Sequence, residues 1–159
     1  MPNQIKDEII RILESNICGS LSTIDNNNRV YCNTVYYCFD NELNLYFASD
    51  YTTNHAEYLK NNPSVALCVW TQPPSYGLEH IGLQIMGECH LISGTELLRA
   101  WALYIKRFNV FQQKIGSFEN LRDKLVSIRL YKVIPETIKV TNSVVLGNKA
   151  IDYKMYGLH

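Results

Sequence analysis

The sequence predicts a mainly β fold with peripheral helices, in which about six to seven mostly antiparallel strands form a closed or nearly closed barrel. Short segments rich in β-branched and aromatic residues recur along the chain, and most are joined by short clusters of turn residues. Strands joined by such short turns run antiparallel, whereas parallel strands need a longer crossover. A barrel is the economical arrangement of these strands, because closing the sheet removes its exposed edges.

The N-terminal region predicts an amphipathic helix followed by a β-hairpin. Cys18–Ile24 and Val30–Phe39 have the composition of strands, and the Asp-Asn-Asn-Asn cluster at residues 25–28 is typical of the turn between them. The helix before them repeats apolar residues at the spacing of one helical face. Its apolar positions are Ile5, Ile9, Ile10, Leu13 and Ile17.

The next segment, residues 46–70, predicts a strand, a polar turn, a short helix and a second strand. Residues 43–48 alternate as expected for a strand with one buried face, and Asn54 with Glu57 resembles a capping box for a helix that starts near His55. Residues 65–70 form an unbroken apolar run, which favours a strand buried on both faces. The helix N-terminus between the two strands carries free N–H groups, which predicts a site for a phosphate.

The C-terminal half predicts three more strands and one longer helix. Residues 81–92 follow a β pattern in which Gly87 marks a bulge or a close backbone approach. Residues 125–134 and 136–140 are predicted as two strands broken by Pro135, while residues 108–123 indicate a loop or short helix and the tail from residue 143 has little pattern.

The longer helix is predicted from a capping box formed by Ser93 and Glu96. The basic residues Arg99, Lys106 and Arg107 concentrate positive charge along the helix and toward its C-terminal end, where it complements the dipole, and they are expected to stabilise the helix. Its predicted apolar side consists of Leu97, Leu98, Trp101, Ala102 and Ile105.

Composition limits the classes of partner. The 159 residues are expected to form a single domain, 1–159, and the 15 basic and 15 acidic side chains give neither a nucleic-acid footprint nor the charge excess of a disordered chain. No signal peptide is evident, and no apolar run approaches the roughly 18 residues of a membrane span. We therefore expect a cytoplasmic protein whose partner is a small molecule or a second copy of itself, with no nucleic acid and no membrane.

The cysteines and histidines predict no metal centre. The five cysteines are odd in number and lack paired CxxC spacing, so buried, reduced thiols are expected. His80 and His90 have no companion ligand at metal-binding spacing. Trp70 and Trp101 are expected in packing roles, whereas the tyrosines are numerous enough to line a cleft or a dimer contact. The tyrosines concerned are Tyr31, Tyr36, Tyr37 and Tyr46.

The order of these elements resembles the pyridoxamine 5'-phosphate oxidase-like FMN-binding split barrels over roughly residues 15–140. Two parts carry the resemblance: the segment TTNHAEYLKNNPSVALCVW, and the later strand GLQIMGE. The RFNVF sequence at residues 107–111, with the strands after it, resembles an uncharacterised short branch of that family. The resemblance implies a homodimer with FMN in two clefts lined by both subunits.

The resemblance also implies a set of cofactor-binding residues. Thr53, Asn54 and His55 occupy the place of the family's Ser-Arg-Lys phosphate motif, and Gln84 occupies that of a polar side chain that reaches the flavin. The full set is Asn33, Thr34, Val35, Tyr46, Ala48, Ser49, Thr52, Thr53, Asn54, His55 and Gln84. Taken alone, the hydroxyls also suit helix caps, His55 a solvated first turn, and Asn33, Thr34 and Gln84 ordinary strand positions.

The chain departs from the family by lacking Arg and Lys at the phosphate motif. A helix N-terminus contributes only about 0.3 to 1 kcal/mol toward an anion, whereas micromolar binding requires about 8 kcal/mol. The basic residues that could supply the missing charge are Arg29, Lys60, Lys106 and Arg107.

Three functions follow from the resemblance and its departures. The first is a flavin-dependent oxidoreductase acting on an unknown small substrate, with the redox chemistry supplied by FMN and catalytic residues unknown. The second is a non-redox binding module that uses the cleft for haem, a deazaflavin or another phosphate-bearing ligand. The third is a dimeric scaffold with a vestigial cleft.

Overall fold

The computed structural model describes residues 2–73, 75–77, 79–108, 127–147 and 149–155. Within them lie three helices and seven strands. The helices are α1 (Pro2–Ser15), α2 (Asn54–Tyr58) and α3 (Gly94–Phe108). The strands are β1 (Cys18–Ile24), β2 (Val30–Phe39), β3 (Leu45–Asp50), β4 (Ser64–Thr71), β5 (Ile81–Leu91), β6 (Ile128–Asn142) and β7 (Ala150–Lys154).

The first six strands close into an antiparallel barrel. The sheet order is β3-β2-β1-β4-β5-β6-β7, and a further pairing of β3 with β6 closes the ring. The first half of β6, from Ile128 to Val133, pairs with β3, while Thr137 to Thr141 pair with β7 outside the barrel. The prediction of a mainly β barrel with peripheral helices is therefore confirmed.

One helix lies across each end of the barrel. The apolar side chains of α1 belong to the barrel core, and Ile9 and Leu13 have no exposed surface. At the opposite end, Ala56 of α2 joins the same core, and α2 packs on β1. The third helix lies outside the barrel, where Ala100 packs with Tyr46 and other residues of a second, smaller core.

The predicted hairpin is confirmed, since β1 and β2 have the predicted bounds and the turn closes through a hydrogen bond from Asp25 N to Arg29 O. The prediction for residues 43–48 is wrong at its start, because Leu43 lies in the preceding turn with φ 67° and the strand begins at Leu45. Both faces of β3 are buried near its start, because the barrel core lies on one side and α3 on the other.

The prediction that residues 65–70 are buried on both faces is wrong. Only one face of β4 is buried, because Val65, Leu67 and Val69 point into the barrel. The side chains between them point outward, and Trp70 is 55% exposed. The outward residues Ala66, Cys68 and Trp70 are apolar as well, which is why the sequence pattern suggested burial on both faces.

The two strands predicted around Pro135 form one strand, β6. Pro135 pairs with Gly87, and the register shifts between Met86 and Gly87, so a bulge accommodates the proline that was expected to end the strand. A Cβ at Gly87 would lie 2.1 Å from Ile134 O. Both features predicted for Gly87, a bulge and a close backbone approach, are confirmed. Strand β7 was not predicted.

The helices differ from their predicted faces in detail. In α1, Ile12 is buried and Ile17 lies beyond the helix, 54% exposed. In α3, Ala100 is buried while Leu98 is 70% exposed. The loop or short helix expected for residues 108–123 lies outside the described residues, except for Phe108 at the end of α3.

Arg107 does more than complement the dipole of its own helix. Its Nη2 donates hydrogen bonds to Leu13 O (2.6 Å) and Asn16 O (2.5 Å), at the C-terminal end of α1. The hydroxyl of Tyr37 donates to the same two carbonyl oxygens, and the guanidinium lies 5.3 Å from the Tyr37 ring centroid. Arg107 thus joins α3 to α1. The C-terminal end of α1 stabilises its positive charge, because free carbonyl oxygens accept hydrogen bonds there and the helix dipole is negative.

The burial predicted for the cysteines is wrong for three of the five. Cys38 and Cys89 are buried, and burial raises the pKa of each thiol to about 12. The other three occupy outward positions on β1, β2 and β4, which the apolar pattern did not reveal. These exposed thiols are Cys18, Cys32 and Cys68.

Candidate functional site

The barrel is split between β2 and β3. These two strands pair only from Tyr37 to Phe39 and from Leu45 to Phe47. Among the described strands, β2 before residue 37 pairs only with β1, and β3 after residue 47 pairs only with β6. Each strand therefore presents an edge of backbone N–H and C=O groups that its neighbour does not satisfy, and such groups require another partner. We call this feature the β2/β3 split.

The three site residues predicted on β2 point to opposite faces. Asn33 pairs with Leu21, a core residue, so it points into the barrel with Val35, which is 5% exposed. Thr34 pairs with Ser20 and points outward. Thr34 is therefore the member of the three whose side chain lies on the outer surface beside the split.

On β3, the predicted residue Tyr46 is packed beneath α3. Its hydroxyl donates to Asp40 Oδ2 at 2.9 Å. Burial, followed by this hydrogen bond, raises the pKa of Tyr46. Ala48 and Ser49 follow Tyr46 along the part of β3 that faces the split, and both are half-buried.

The predicted phosphate turn forms a network of side-chain hydrogen bonds. Ser49 Oγ lies 2.7 Å from His55 Nε2 and 3.2 Å from Thr53 Oγ1. Thr53 Oγ1 lies 3.2 Å from His55 Nε2 and donates to Asp50 O at 2.8 Å. These three side chains, which the sequence assigned to the site, are brought together, and their polar atoms partly satisfy one another.

His55 is buried, contrary to the solvated first-turn alternative. His55 is only 8% exposed, and desolvation lowers the pKa of its imidazole. The imidazole is therefore neutral near pH 7, because burial disfavours the charged form. The ring lies 6.2 Å from that of Phe47, so it packs against the end of the barrel core.

The predicted capping box is wrong. The helix begins at Asn54, and Thr53 is the N-cap, with no capping hydrogen bond from its side chain. Asn54 is exposed, and Glu57 pairs with Lys60 rather than with the start of the helix. A helix of five residues, Asn54–Tyr58, also has little dipole to offer an anion.

Asp50 and Thr52 complete the turn. The Asp50 carboxylate accepts hydrogen bonds from the Thr52 backbone N–H (2.8 Å) and the Thr52 hydroxyl (2.7 Å). Its pKa is lowered, first by a hydrogen bond with the Ser127 side chain and then by those from Thr52. The proton of the Thr52 hydroxyl is therefore used in a hydrogen bond within the turn.

Sequence reasoning missed Arg129 as the basic residue at this turn. Arg129 pairs with Ser49 across the β3–β6 ladder, and its guanidinium carbon lies 5.3 Å from the ring centroid of Tyr51. Residues 49 and 129 are 80 positions apart, and only the strand pairing brings them together. No local signal in the sequence indicates this, so residue type and spacing could not have found it.

The basic residues nominated from the sequence lie elsewhere or have other contacts. Lys60 forms an ion pair with Glu57, and Arg107 binds the end of α1. Arg29 follows the hairpin turn, and Lys106 is exposed near the end of α3.

Gln84 is not brought to the split within one chain. It lies exposed on β5, pairs with Cys68, and is separated from β2 by β1 and β4. The paired residues between the split and Gln84 are Thr34 on β2, Ser20 on β1 and Cys68 on β4, and all three point outward. Gln84 could therefore meet a ligand in the split only if a second chain contributes it.

The outer surface of β2, β1 and β4 carries no charged side chain at nine successive outward positions. We call it the uncharged face. Tyr36 and Trp70, which lie on it, are 56% and 55% exposed. Its members are Cys32, Thr34, Tyr36, Cys18, Ser20, Ser22, Ala66, Cys68 and Trp70.

The described residues form neither a metal centre nor a membrane-spanning helix. They contain no group of three or more His, Cys, Asp or Glu side chains arranged to hold a metal ion. None of their helices is long and apolar enough to cross a membrane.

The chain is similar in sequence to one group of proteins and in fold to several solved structures. A UPF0306 protein of Klebsiella pneumoniae (strain 342) is 25% identical over 132 residues, covering 82% of this chain and 81% of its own. The structure of a putative pyridoxamine 5'-phosphate oxidase from Listeria innocua is 24% identical and superposes with a TM-score of 0.64 over 87% of this chain and 99% of its own.

A heme-binding protein from Mycobacterium smegmatis has the same fold, with a TM-score of 0.74 and 13% identity over 94% of this chain. This chain spans only 57% of that protein. The sequence profile of the family described as pyridoxamine 5'-phosphate oxidase matches residues 5–138. The split barrel and the sequence match agree, and the chain belongs to the pyridoxamine 5'-phosphate oxidase-like family.

Proposed function

We propose that this protein binds FMN in the β2/β3 split and is a cytoplasmic, homodimeric, flavin-dependent oxidoreductase that acts on a small substrate. The single observation that carries the proposal is the pair of open strand edges, at residues 30–36 of β2 and 48–50 of β3. The polar edge of a flavin ring contains both donors and acceptors. Backbone N–H and C=O groups at these edges could satisfy them without any charged side chain.

The phosphate is assigned to the turn at the end of β3. Ser49, Thr53 and the exposed Asn54 provide polar groups there, and Arg129 provides a guanidinium on the neighbouring strand. A hydrogen bond to a charged group contributes about 1.5 to 3 kcal/mol, more than the short helix can. Among the described residues, Arg129 is therefore the basic residue best placed for the phosphate.

A second copy of the chain would complete the site. The uncharged face has the aromatic content and the lack of charge that distinguish the buried centre of protein interfaces. Pairing through it would bring the partner's outer strands, including Gln84, toward the split.

In this proposal the chain binds and orients the cofactor and excludes water, while FMN supplies hydride or electron transfer when bound. Thr34 and the edges of the split would contact the ring, and Arg129 would hold the phosphate. No acid–base residue is assigned.

The absorbance spectrum of the purified protein and an FMN titration test the proposal. We expect flavin bands and a rise in melting temperature with added FMN. We expect Arg129→Gln to weaken FMN binding by about tenfold or more, since 1.4 kcal/mol is a factor of ten. A protein that is neither yellow nor stabilised by FMN would exclude this function.

Two controls separate the phosphate contact from a loss of folding. Riboflavin lacks the phosphate, so its weaker affinity should be the same for wild type and Arg129→Gln. Arg29→Gln removes an equal charge at the hairpin turn and should leave FMN binding unchanged. An equal loss of riboflavin binding in Arg129→Gln would contradict the phosphate assignment.

A non-redox binding module is the second candidate function, and one observation favours it. His55 is neutral and hydrogen-bonded within the turn, so Arg129 is the one cation that the described residues bring to the place of the family's phosphate motif. A ligand such as haem, which the Mycobacterium smegmatis relative is described as binding, would not depend on that motif. A Soret band in the spectrum would support this candidate, and mass spectrometry of extracted ligand would identify a deazaflavin or another phosphate-bearing ligand.

A vestigial cleft would show neither flavin bands nor a Soret band and no stabilisation by added FMN, and the Thr53→Ala, Asn54→Ala double variant tests the role of the turn. If FMN binds and the double variant retains wild-type FMN affinity, these two side chains serve only the turn.

A further inference from the structure

Two buried polar atoms on the inner barrel wall have no hydrogen-bond partner among the residues that the structure describes. They are Thr23 Oγ1 on β1 and Asn33 Nδ2 on β2. Among the described residues, only Arg107 Nε shares this property, and the other side of that guanidinium binds α1. Thr23 has no exposed surface at all.

The strand register places the two side chains beside each other. Thr23 pairs with Tyr31 and Leu21 pairs with Asn33, so Thr23 and Asn33 are diagonal neighbours on one face of the hairpin. Diagonal neighbours in an antiparallel pair lie about 7 to 8 Å apart. They are too far apart to bond directly here, since neither atom has a partner, yet close enough to share one.

Aromatic side chains shield this place from solvent. Tyr31 lies directly across from Thr23, and its ring centroid is 5.0 Å from that of Tyr58 on α2. Helix α2 also packs on β1. A polar group enclosed in this way and left unsatisfied is costly, so native proteins pair nearly all of them, often through an ordered water.

We propose that Thr23 and Asn33 form a binding site for one ordered water molecule inside the barrel. Two hydrogen bonds of about 2.9 Å each span roughly 5 to 6 Å, and the two side chains cover the rest of the roughly 7 to 8 Å between the diagonal positions. Water both donates and accepts, so it satisfies the hydroxyl and the amide in either orientation of the amide. The water would link β1 to β2 on the inner side of the hairpin, beside the open edge of β2. This link does not depend on a cofactor.

The first test is a crystal structure of the wild-type protein at a resolution that shows ordered solvent. We expect one density peak within hydrogen-bonding distance of both Thr23 Oγ1 and the Asn33 amide. A direct bond between the two side chains, another protein partner for each, or a ligand atom on Asn33 would overturn the proposal.

The second test is a double-mutant cycle with Thr23→Val and Asn33→Leu. Each single change leaves the water with one partner fewer and should lower the melting temperature by about 3 to 8 °C. The double variant should lose clearly less than the sum, because no unsatisfied group remains. Thr23→Ser, which keeps the hydroxyl, should retain the density peak. Additive losses would contradict the shared site.

Discussion

The two edges of β3 differ in how far they are paired. Along the β6 edge, the ladder runs over the whole strand, from Leu45 to Asp50, and continues with a hydrogen bond from Tyr51 N to Ser127 O. Along the β2 edge, it stops at Phe47. The same strand thus forms a closed wall with β6 and an open split with β2. The split therefore arises because β2 diverges from β3 after Phe47, and not because β3 itself is irregular.

The largest expected effect comes from removing the side chain that supports the closed edge. Phe47 has no exposed surface and stacks on Tyr131 across the β3–β6 ladder, with ring centroids 5.2 Å apart. We expect Phe47→Ala to lower the free energy of unfolding by about 3 to 5 kcal/mol, measured by urea denaturation. Ala48→Gly, at the next position, is the control and should lose much less. A Phe47→Ala loss below that of the control would mean that the ladder holds without the stack.

A smaller effect is expected at the bulge that allows β6 to pass Pro135. A Cβ on Gly87 would lie 2.1 Å from Ile134 O, so Gly87→Ala must move backbone. We expect it to cost about 2 to 3 kcal/mol in urea denaturation. The exposed neighbour gives the matched control, Glu88→Ala, which should stay within about 0.5 kcal/mol of wild type. Equal stability of the two variants would show that the bulge adapts freely.

Stability should depend on pH through His55, beside the split. Desolvation lowers the pKa of His55 from the model-peptide value of 6.5. Between that value and the folded-state pKa, the unfolded chain therefore binds a proton at His55 that the folded chain does not bind. The stability that the neutral ring gives is present above 6.5 and is lost as the pH falls from there through the folded-state pKa. Urea denaturation at about pH 7.5 and about pH 5.5 measures the loss.

His55→Gln removes this titration and should flatten that part of the pH profile. His80→Gln, on an exposed loop, is the control and should keep the wild-type profile. A His55→Gln profile as steep as that of wild type would assign the pH dependence to other groups.

The smallest effect is local and sharpens the comparison of the two edges. Backbone amides at residues 30–36 that point away from β1 should exchange their hydrogens quickly, whereas those of β3 that pair with β6 should exchange slowly. Hydrogen exchange followed by NMR resolves individual amides. Saturating FMN should slow exchange along the β2 edge selectively, and protection of β2 without any ligand would mean that the split is closed in solution.

The sequence predicted the features that depend on neighbouring residues. The hairpin of β1 and β2 was found with its bounds, because a turn cluster and a β-rich composition are local signals. The single β6 and the position of Arg129 depend on pairing between distant segments, which periodicity does not encode. Strand β7 pairs with the adjacent β6 and was missed because the tail has little strand pattern. Residues 65–70 misled the prediction because Ala66, Cys68 and Trp70 are apolar although they face outward on the uncharged face.

The cofactor-binding role of the candidate residues stays a prediction. The structure does bring three of them, Ser49, Thr53 and His55, into contact. The neutral state of His55 depends on its packing beside Phe47, and the opposite directions of Asn33 and Thr34 depend on the register with β1. Neither could be derived from residue type alone.

The pairing of β3 with β6 has a consequence for how the chain folds. The ladder joins Leu45 to Val133 and Asp50 to Ile128, so the barrel closes through contacts between residues about eighty positions apart. Contacts of such long sequence separation form slowly, because the entropy of closing the loop opposes them. During synthesis, β3 is made well before its partner and has an exposed edge in the meantime. The growing chain is therefore most prone to aggregation in the interval before β6 emerges from the ribosome.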